Sequence, residues 1–401
     1  MWLRKGNQGS AGRGAEAGSR SGHGDVWHAS FGISQWGAVS RPGWSRRDGA
    51  GVCHSVRSVM QDAMNLGFES ADVALISPCL LFEWAMEFDE GTEIFDFYRR
   101  AREALGDRLT HYNTGDGRWK PINKRAESLV KTWCENPVPF PKKFYCLMEN
   151  GADAGATASS LRIDFAHRPY VEPSADELKQ WRATERRSLP MHTILNLTLP
   201  LDHPLVTGNR VADWLCEFDI VANRRFISGS CGFGLNFPIN FPSPDLDTET
   251  RNRVAALMQR YPGFDVASVM VGVGNKLRQR DPEFTERHQA AIARPYLKRA
   301  NWLTFLSENQ VDWIGGISGI EEHIAGTAVR LRRLKHGVCL QATPEPQLGD
   351  TSRDDYVAAY GPVAKLVRPV RLDSVDGGLL PWEFRQHGVQ EWLDVFDRSN
   401  H

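Results

Sequence analysis

The chain has 401 residues, of which 41% are hydrophobic and 24% charged, with a formal net charge of −1. That is a globular composition, long enough for one large or two ordinary domains. Residues 1–58 carry eight Lys/Arg and three Asp/Glu, a balance of +5, which leaves −6 for residues 59–401; an acidic folded part argues against nucleic acid as a direct ligand, because phosphate contacts need clustered cations.

In chain order, residues 1–58 come first, with 12 of the 36 glycines, nine serines, four tryptophans and no period of 2 or 3.6. Such a stretch cannot bury a continuous face and is expected to be a disordered tail, or a mis-annotated start whose true beginning lies near Met60 or Met64. It has basic residues but no apolar h-region, so no signal peptide is expected, and no run of 18 apolar residues marks a membrane helix. The expected location is cytoplasmic. The remainder, 59–401, is taken as one domain, with possible similar lobes at 75–200 and 201–385.

"ALISPCLLFEWAMEF" predicts a strand or a strand pair. "GTEIFDFYRRAREALGD" predicts an amphipathic helix with Ile94, Phe95, Tyr98, Ala101 and Leu105 on one face, capped at Thr92 and stopped at Gly106. "NKRAESLVKTWCE" predicts a second helix. "KKFYCLMENGADAGATASSLRIDFAHR" predicts two strands around a small-residue loop, and "MHTILNLTLPL" another strand. "GNRVADWLCEFDIVANRRF" reads as helical and "SGSCGFGLNFPINF" as extended. Further on come a helix in "TETRNRVAALMQRY", a short strand in "NWLTFLSE", a helix through "GIEEHIAGTAVRLRRL" and a strand in "GVCLQATPEP". The last helical run, "DDYVAAYGPVAKLVRPV", should be divided at Gly361-Pro362. Strands and helices are mixed without regular alternation, and hairpin candidates favour antiparallel pairing. The fold class is α+β, a mainly antiparallel mixed sheet with packed helices.

No catalytic constellation emerges. The glycines of "GSCGFG" lack dinucleotide spacing and read as strand glycines. "GGISGI" has Ile320 where a nucleophile elbow needs glycine. The histidines do not pair at metal-binding spacing, so no cofactor and no metal is expected. Glu217 and Asp219 with Arg224 and Arg225 resemble a nuclease core only faintly; a charged helix face explains them. The seven cysteines include no Cys-x-x-Cys pair and read as buried, reduced thiols. What stands out is acid. "EWAMEFDEGTEIFD" holds Glu83, Glu87, Asp89, Glu90, Glu93 and Asp96 without a base, and the segment after Glu345 adds Asp350, Asp354 and Asp355 against Arg353. Concentrated acid either answers helix dipoles or attracts a basic partner.

The ordered blocks "ISGSCGFGLNFP", "RYPGFDV", "NWLTFLS", "HGVCLQATPEPQLGD" and "YVAAYGPVAKLVRPVR" resemble a bacterial family, the type VI secretion immunity proteins linked to effectors with a VRR-Nuc nuclease domain. The resemblance covers roughly residues 75–385. It implies a non-catalytic antidote that binds a cognate nuclease effector and occludes its DNA-binding or active site, without direct nucleic-acid or membrane contact. Glu87, Asp89, Glu90, Glu93, Asp96, Asp350, Asp354 and Asp355 are the candidate partner-binding residues. The rival expectations are an uncharacterised hydrolase or nuclease and a structural, oligomerising protein. Trp302, Leu303, Phe305 and Leu306 are expected in the core, and Pro262-Gly263 in a turn.

Overall fold

A computed structural model describes residues 77–87, 92–114, 118–135, 144–149, 160–167, 192–224, 226–236, 248–266, 297–371 and 388–397. The tail 1–58, and with it the question of the start, lies outside the described residues.

The longest strands form where β-branched, aromatic and small residues alternate faces. The longest are β1 (Ser77–Glu87) and β7 (Phe226–Asn236), and β6 (His192–Leu199) pairs with β1. The others are β2 (His111–Asn113), β3 (Lys120–Pro121), β4 (Phe144–Glu149), β5 (Ser160–His167), β8 (Phe264–Val266), β9 (Leu303–Ser307), β10 (Arg330–Leu334) and β11 (Gly337–Gln341). Among the described residues they make a single sheet in the order β10-β11-β9-β7-β1-β6-β5-β4-β2-β3, with β8 alongside β7. Every pairing is antiparallel except β7 with β8. The fold is α+β, as expected, and the strands of residues 77–199 and those of residues 226–341 form two adjoining blocks that meet where β1 pairs with β7.

On β1, period 2 sends Phe82 and Trp84 to one side of the sheet and Glu83 to the other. The Trp84 side is the apolar one. The ring of Trp84 meets Phe97, Phe218 and Phe305 edge-on, at centroid distances of 5.5, 5.4 and 5.9 Å. Phe97 belongs to α1 (Thr92–Leu105), whose Ile94, Tyr98, Ala101 and Leu105 are buried with it. Next to it α2 (Lys124–Glu135) buries Ala126, Val130 and Cys134 and is capped by Asn123, whose Oδ1 accepts from the amides of Arg125 and Ala126. Gly229 of β7 lies opposite Trp84, and a Cβ there would sit 1.8 Å from the indole. The glycine makes room for the ring, which explains a strand glycine better than any phosphate loop does.

The remaining helices are α3 (Pro204–Thr207), α4 (Val211–Cys216), α5 (Thr248–Arg260), α6 (Glu308–Trp313), α7 (Gly316–Ile324), α8 (Gly361–Val367) and α9 (Val389–Leu393). Ser307 and Gln310 close a capping box at the start of α6. Trp302, Leu303, Phe305 and Leu306 are buried, and Pro262-Gly263 forms the turn into β8.

Three local expectations need correction. The helix expected through residues 319–334 ends at Ile324, and Arg330–Leu334 is strand β10. Gly326 has a φ of 76°, and the Thr327 hydroxyl donates to the Ile324 carbonyl while accepting from the Val329 amide. These local bonds replace the next helical turn. Asp354 and Asp355 do not start a helix: Asp354 and Val357 have φ of 62° and 54°, and the α-helix begins only at Gly361, where Gly361-Pro362 divides the run. Thr92, expected as the cap of α1, is its first helical residue.

Candidate functional site

The acidic run of β1 and α1 is not one surface. Glu83 is buried on the polar side of the sheet, facing Asn196 of β6 and Ser230 of β7. Lys298, also buried, donates to Glu83 Oε1 at 3.1 Å and lies 2.7 Å from Asp265 Oδ1. Asn301 Nδ2 donates to the second Asp265 oxygen at 3.0 Å. Burial alone would pull the lysine ammonium down, but Asp265 and Glu83 outweigh it and hold the group above its ordinary range. The triad is therefore a closed ion cluster that ties β1, β8 and the segment before β9 together. It offers neither nucleophile nor open coordination position.

Glu93 and Asp96 lie on α1 and are engaged within the molecule. Glu93 accepts from Asn223 at 2.6 Å, and Asp96 pairs with Arg99 at 2.8 Å and Arg100 at 3.0 Å. Glu87 ends β1, without a described side chain, and Asp89 and Glu90 lie outside the described residues.

The second acidic group occupies a turn that is fixed internally. Asp350 accepts from the amide and hydroxyl of Ser352 at 3.0 and 2.6 Å and pairs with Arg260 of α5 at 3.1 Å. Burial raises its carboxyl, but the Arg260 and Ser352 hydrogen bonds more than offset that, and it is held below the usual range. Asp355 accepts from the Val357 amide at 3.0 Å, and the backbones of Asp350 and Asp355 bridge. Under the turn, the Gly263 amide donates to the Leu348 carbonyl at 2.7 Å. Asp354, Asp355 and Tyr356 face solvent, the last 38% exposed. The structure thus leaves two exposed carboxylates and a tyrosine on a rigid turn, while Asp350 serves as its anchor.

A cationic feature went unpredicted. On β10, Arg330, Arg332 and Arg333 are exposed, followed by Lys335. Arg332 pairs with Asp213 of α4, and Arg333 with Glu321 of α7 at 2.8 Å. Helical spacing of Leu331 and Leu334 masked this strand in the sequence. Among the described residues, no group of three or more His, Cys, Asp or Glu could hold a metal ion. No helix among them is long and apolar enough to cross a membrane.

No curated protein matches the chain. The solved structure of the Pseudomonas aeruginosa T6SS protein PA0821 is similar in fold, with a TM-score of 0.58 and 16% identity, covering 80% of this chain and 84% of that one. A family model described as "Type VI immunity for VRR-NUC" matches residues 93–394. That span exceeds half of the chain and contains α1, the Asp350–Val357 turn and most of the sheet, so the chain belongs to the type VI immunity family for VRR-Nuc effectors.

Proposed function

We propose that the chain acts in the cytoplasm as a stoichiometric antidote: it binds its cognate VRR-Nuc effector and covers the DNA-binding or active site, without catalysis of its own. Family membership supports the effector class. The rigid turn with exposed Asp354, Asp355 and Tyr356 supports the mode. A nuclease must present cations to phosphates. Carboxylates held in place before docking meet those cations at little ordering cost, and they speed encounter through long-range attraction. Glu87, Asp89 and Glu90, next to the start of α1, form the second contact group in this proposal. Glu93, Asp96 and Asp350 support the fold around these groups through their internal partners.

Reversal of charge tests the mode. Glu87→Lys, Asp89→Lys and Glu90→Lys together, and Asp354→Lys separately, are expected to slow association with the effector by roughly tenfold at low salt, and to flatten its salt dependence. Stopped-flow association at two salt concentrations, with circular dichroism confirming the fold, gives the answer. Native rates and salt slopes in both folded variants would remove the acidic groups from the interface.

A further inference from the structure

Arg299 is a buried charge that neither the core nor the acidic groups account for. It is 1% exposed, and among the described residues its Nη1 has no hydrogen-bond partner. Burial pulls the guanidinium down to about 10, so it is still charged at neutral pH. Two rings from the C-terminal residues 388–397 meet it. The guanidinium lies 4.3 Å from the ring centre of Trp392, on α9, and 4.4 Å from that of Phe396, in the single turn Val395–Asp397. The electron-rich faces of these rings offset part of the cost of burying the cation.

What Arg299 and the two rings hold is the base of the Asp350–Val357 turn. Arg299 Nη2 donates to the Pro262 carbonyl, and Trp392 Nε1 donates to the Phe264 carbonyl at 3.2 Å, so the Pro262-Gly263 turn is fixed on both sides. The start of the acidic turn rests on it closely. A Cβ on Gly263 would lie 2.1 Å from the Gln347 carbonyl oxygen, and one on Gly349 would lie 2.9 Å from Pro262 Cγ. Phe396 reaches the far end as well. Its ring meets Tyr360 at a centroid distance of 5.0 Å, and the Tyr360 hydroxyl accepts from the Gln347 amide at 2.9 Å. Residues 347 and 360 bracket the turn. Ion pairs fasten the C-terminal residues themselves: Asp394 and Asp397 pair with Arg371 at 2.7 and 2.5 Å, and Asp397 pairs with Arg368 at 3.3 Å.

We propose that residues 388–397 are a clasp for the turn that bears Asp354, Asp355 and Tyr356, with Arg299 and Phe396 as its positioning residues. Both are buried, so they act through Pro262 and Tyr360 rather than by touching a partner. The consequence for effector binding rests on the reading of that turn as a contact group. With the clasp closed, the turn is ordered before docking. With the clasp loosened, the same carboxylates carry the same charge but lose their fixed pose.

Phe396→Leu removes a ring from Arg299 and Tyr360 and leaves every charge in place. In the full-length variant, amide hydrogen exchange in peptides covering 347–357 is expected to quicken roughly tenfold, while β1 and β7 keep native protection. Affinity for the cognate effector should fall roughly fivefold with an unchanged salt slope, unlike that of the charge reversals. Asp397→Asn, which keeps both rings and weakens the hold of Arg368 and Arg371, should quicken the same peptides about threefold, and it decides the matter if the Phe396 variant does not fold. Native exchange at 347–357 in the folded variant overturns the proposal. So does exchange that quickens equally in β1 and β7, because that marks a general loss of stability. Faster exchange confined to the turn, with native effector affinity, upholds the clasp and removes the turn from the interface.

Discussion

Replacing Trp302 by alanine is expected to cost about 3–5 kcal/mol of folding stability, the range for a large buried aromatic. The indole is 1% exposed, and its Nε1 donates to the Thr343 carbonyl at 2.8 Å. The Trp302 carbonyl accepts from the Ala342 amide at 2.9 Å, and its own amide donates to Asn301 Oδ1 at 2.9 Å. Truncation therefore opens a cavity at the entry to β9 and strands a buried carbonyl beside it. Trp302→Phe keeps much of the volume, loses only the hydrogen bond and should cost less than half as much. Urea unfolding of the three proteins checks both values; an alanine variant with an unchanged midpoint would place this ring on a surface.

Lys298→Met is expected to cost about as much, roughly 3–5 kcal/mol, for an electrostatic reason. The methionine fills the space of the stem but removes the ammonium that pairs with both Glu83 and Asp265, which are 3–4% and 1–2% exposed. Removing a cation from two buried carboxylates raises their folded pKa values. Stability carried by such raised groups is present at low pH and lost as pH rises, so the deficit of the variant should shrink between pH 8 and pH 5. In the native protein Lys298 itself is raised above its ordinary value, so its contribution is complete below about pH 10 and is lost only in strong alkali. Lys298→Met combined with Glu83→Gln and Asp265→Asn should recover part of the loss at pH 8. Unfolding curves across pH test this, and a pH-independent deficit would contradict it.

Where burial follows from local pattern, the sequence was informative. The helical period of α1 assigns Ile94, Tyr98, Ala101 and Leu105 to the core, and they are there, while Phe95 of the same expected face is only partly buried; Trp302, Leu303, Phe305 and Leu306, expected in the core, are buried too. What the sequence hides is what lies across the sheet. Alternation on β1 places Glu83 opposite Phe82 and Trp84, but only Lys298, 215 residues away, shows that this opposite side is buried as well. An acidic run read as one surface thus divides into an internal ion pair, two helix-face partners and a remainder. Asp350 looks like a loop acid until Arg260 approaches it from 90 residues earlier. The strand in Arg330–Leu334 was missed because apolar residues three apart satisfy a helix as well, and the bonds of Thr327 that stop the helix are invisible to periodicity. Cys216, which pattern alone classed with the buried thiols, is partly exposed.

The central claim is that protection arises from binding the effector one-to-one. It is tested most directly by titrating a fixed amount of the cognate VRR-Nuc effector with the purified chain and following DNA cleavage. Cleavage should fall linearly and vanish at equimolar antidote, with both chains recovered intact from one complex and nuclease activity restored after denaturing separation and refolding. Complete inhibition by far less than one equivalent, or an effector that stays inactive or modified after separation, would show turnover rather than occlusion and contradict the account.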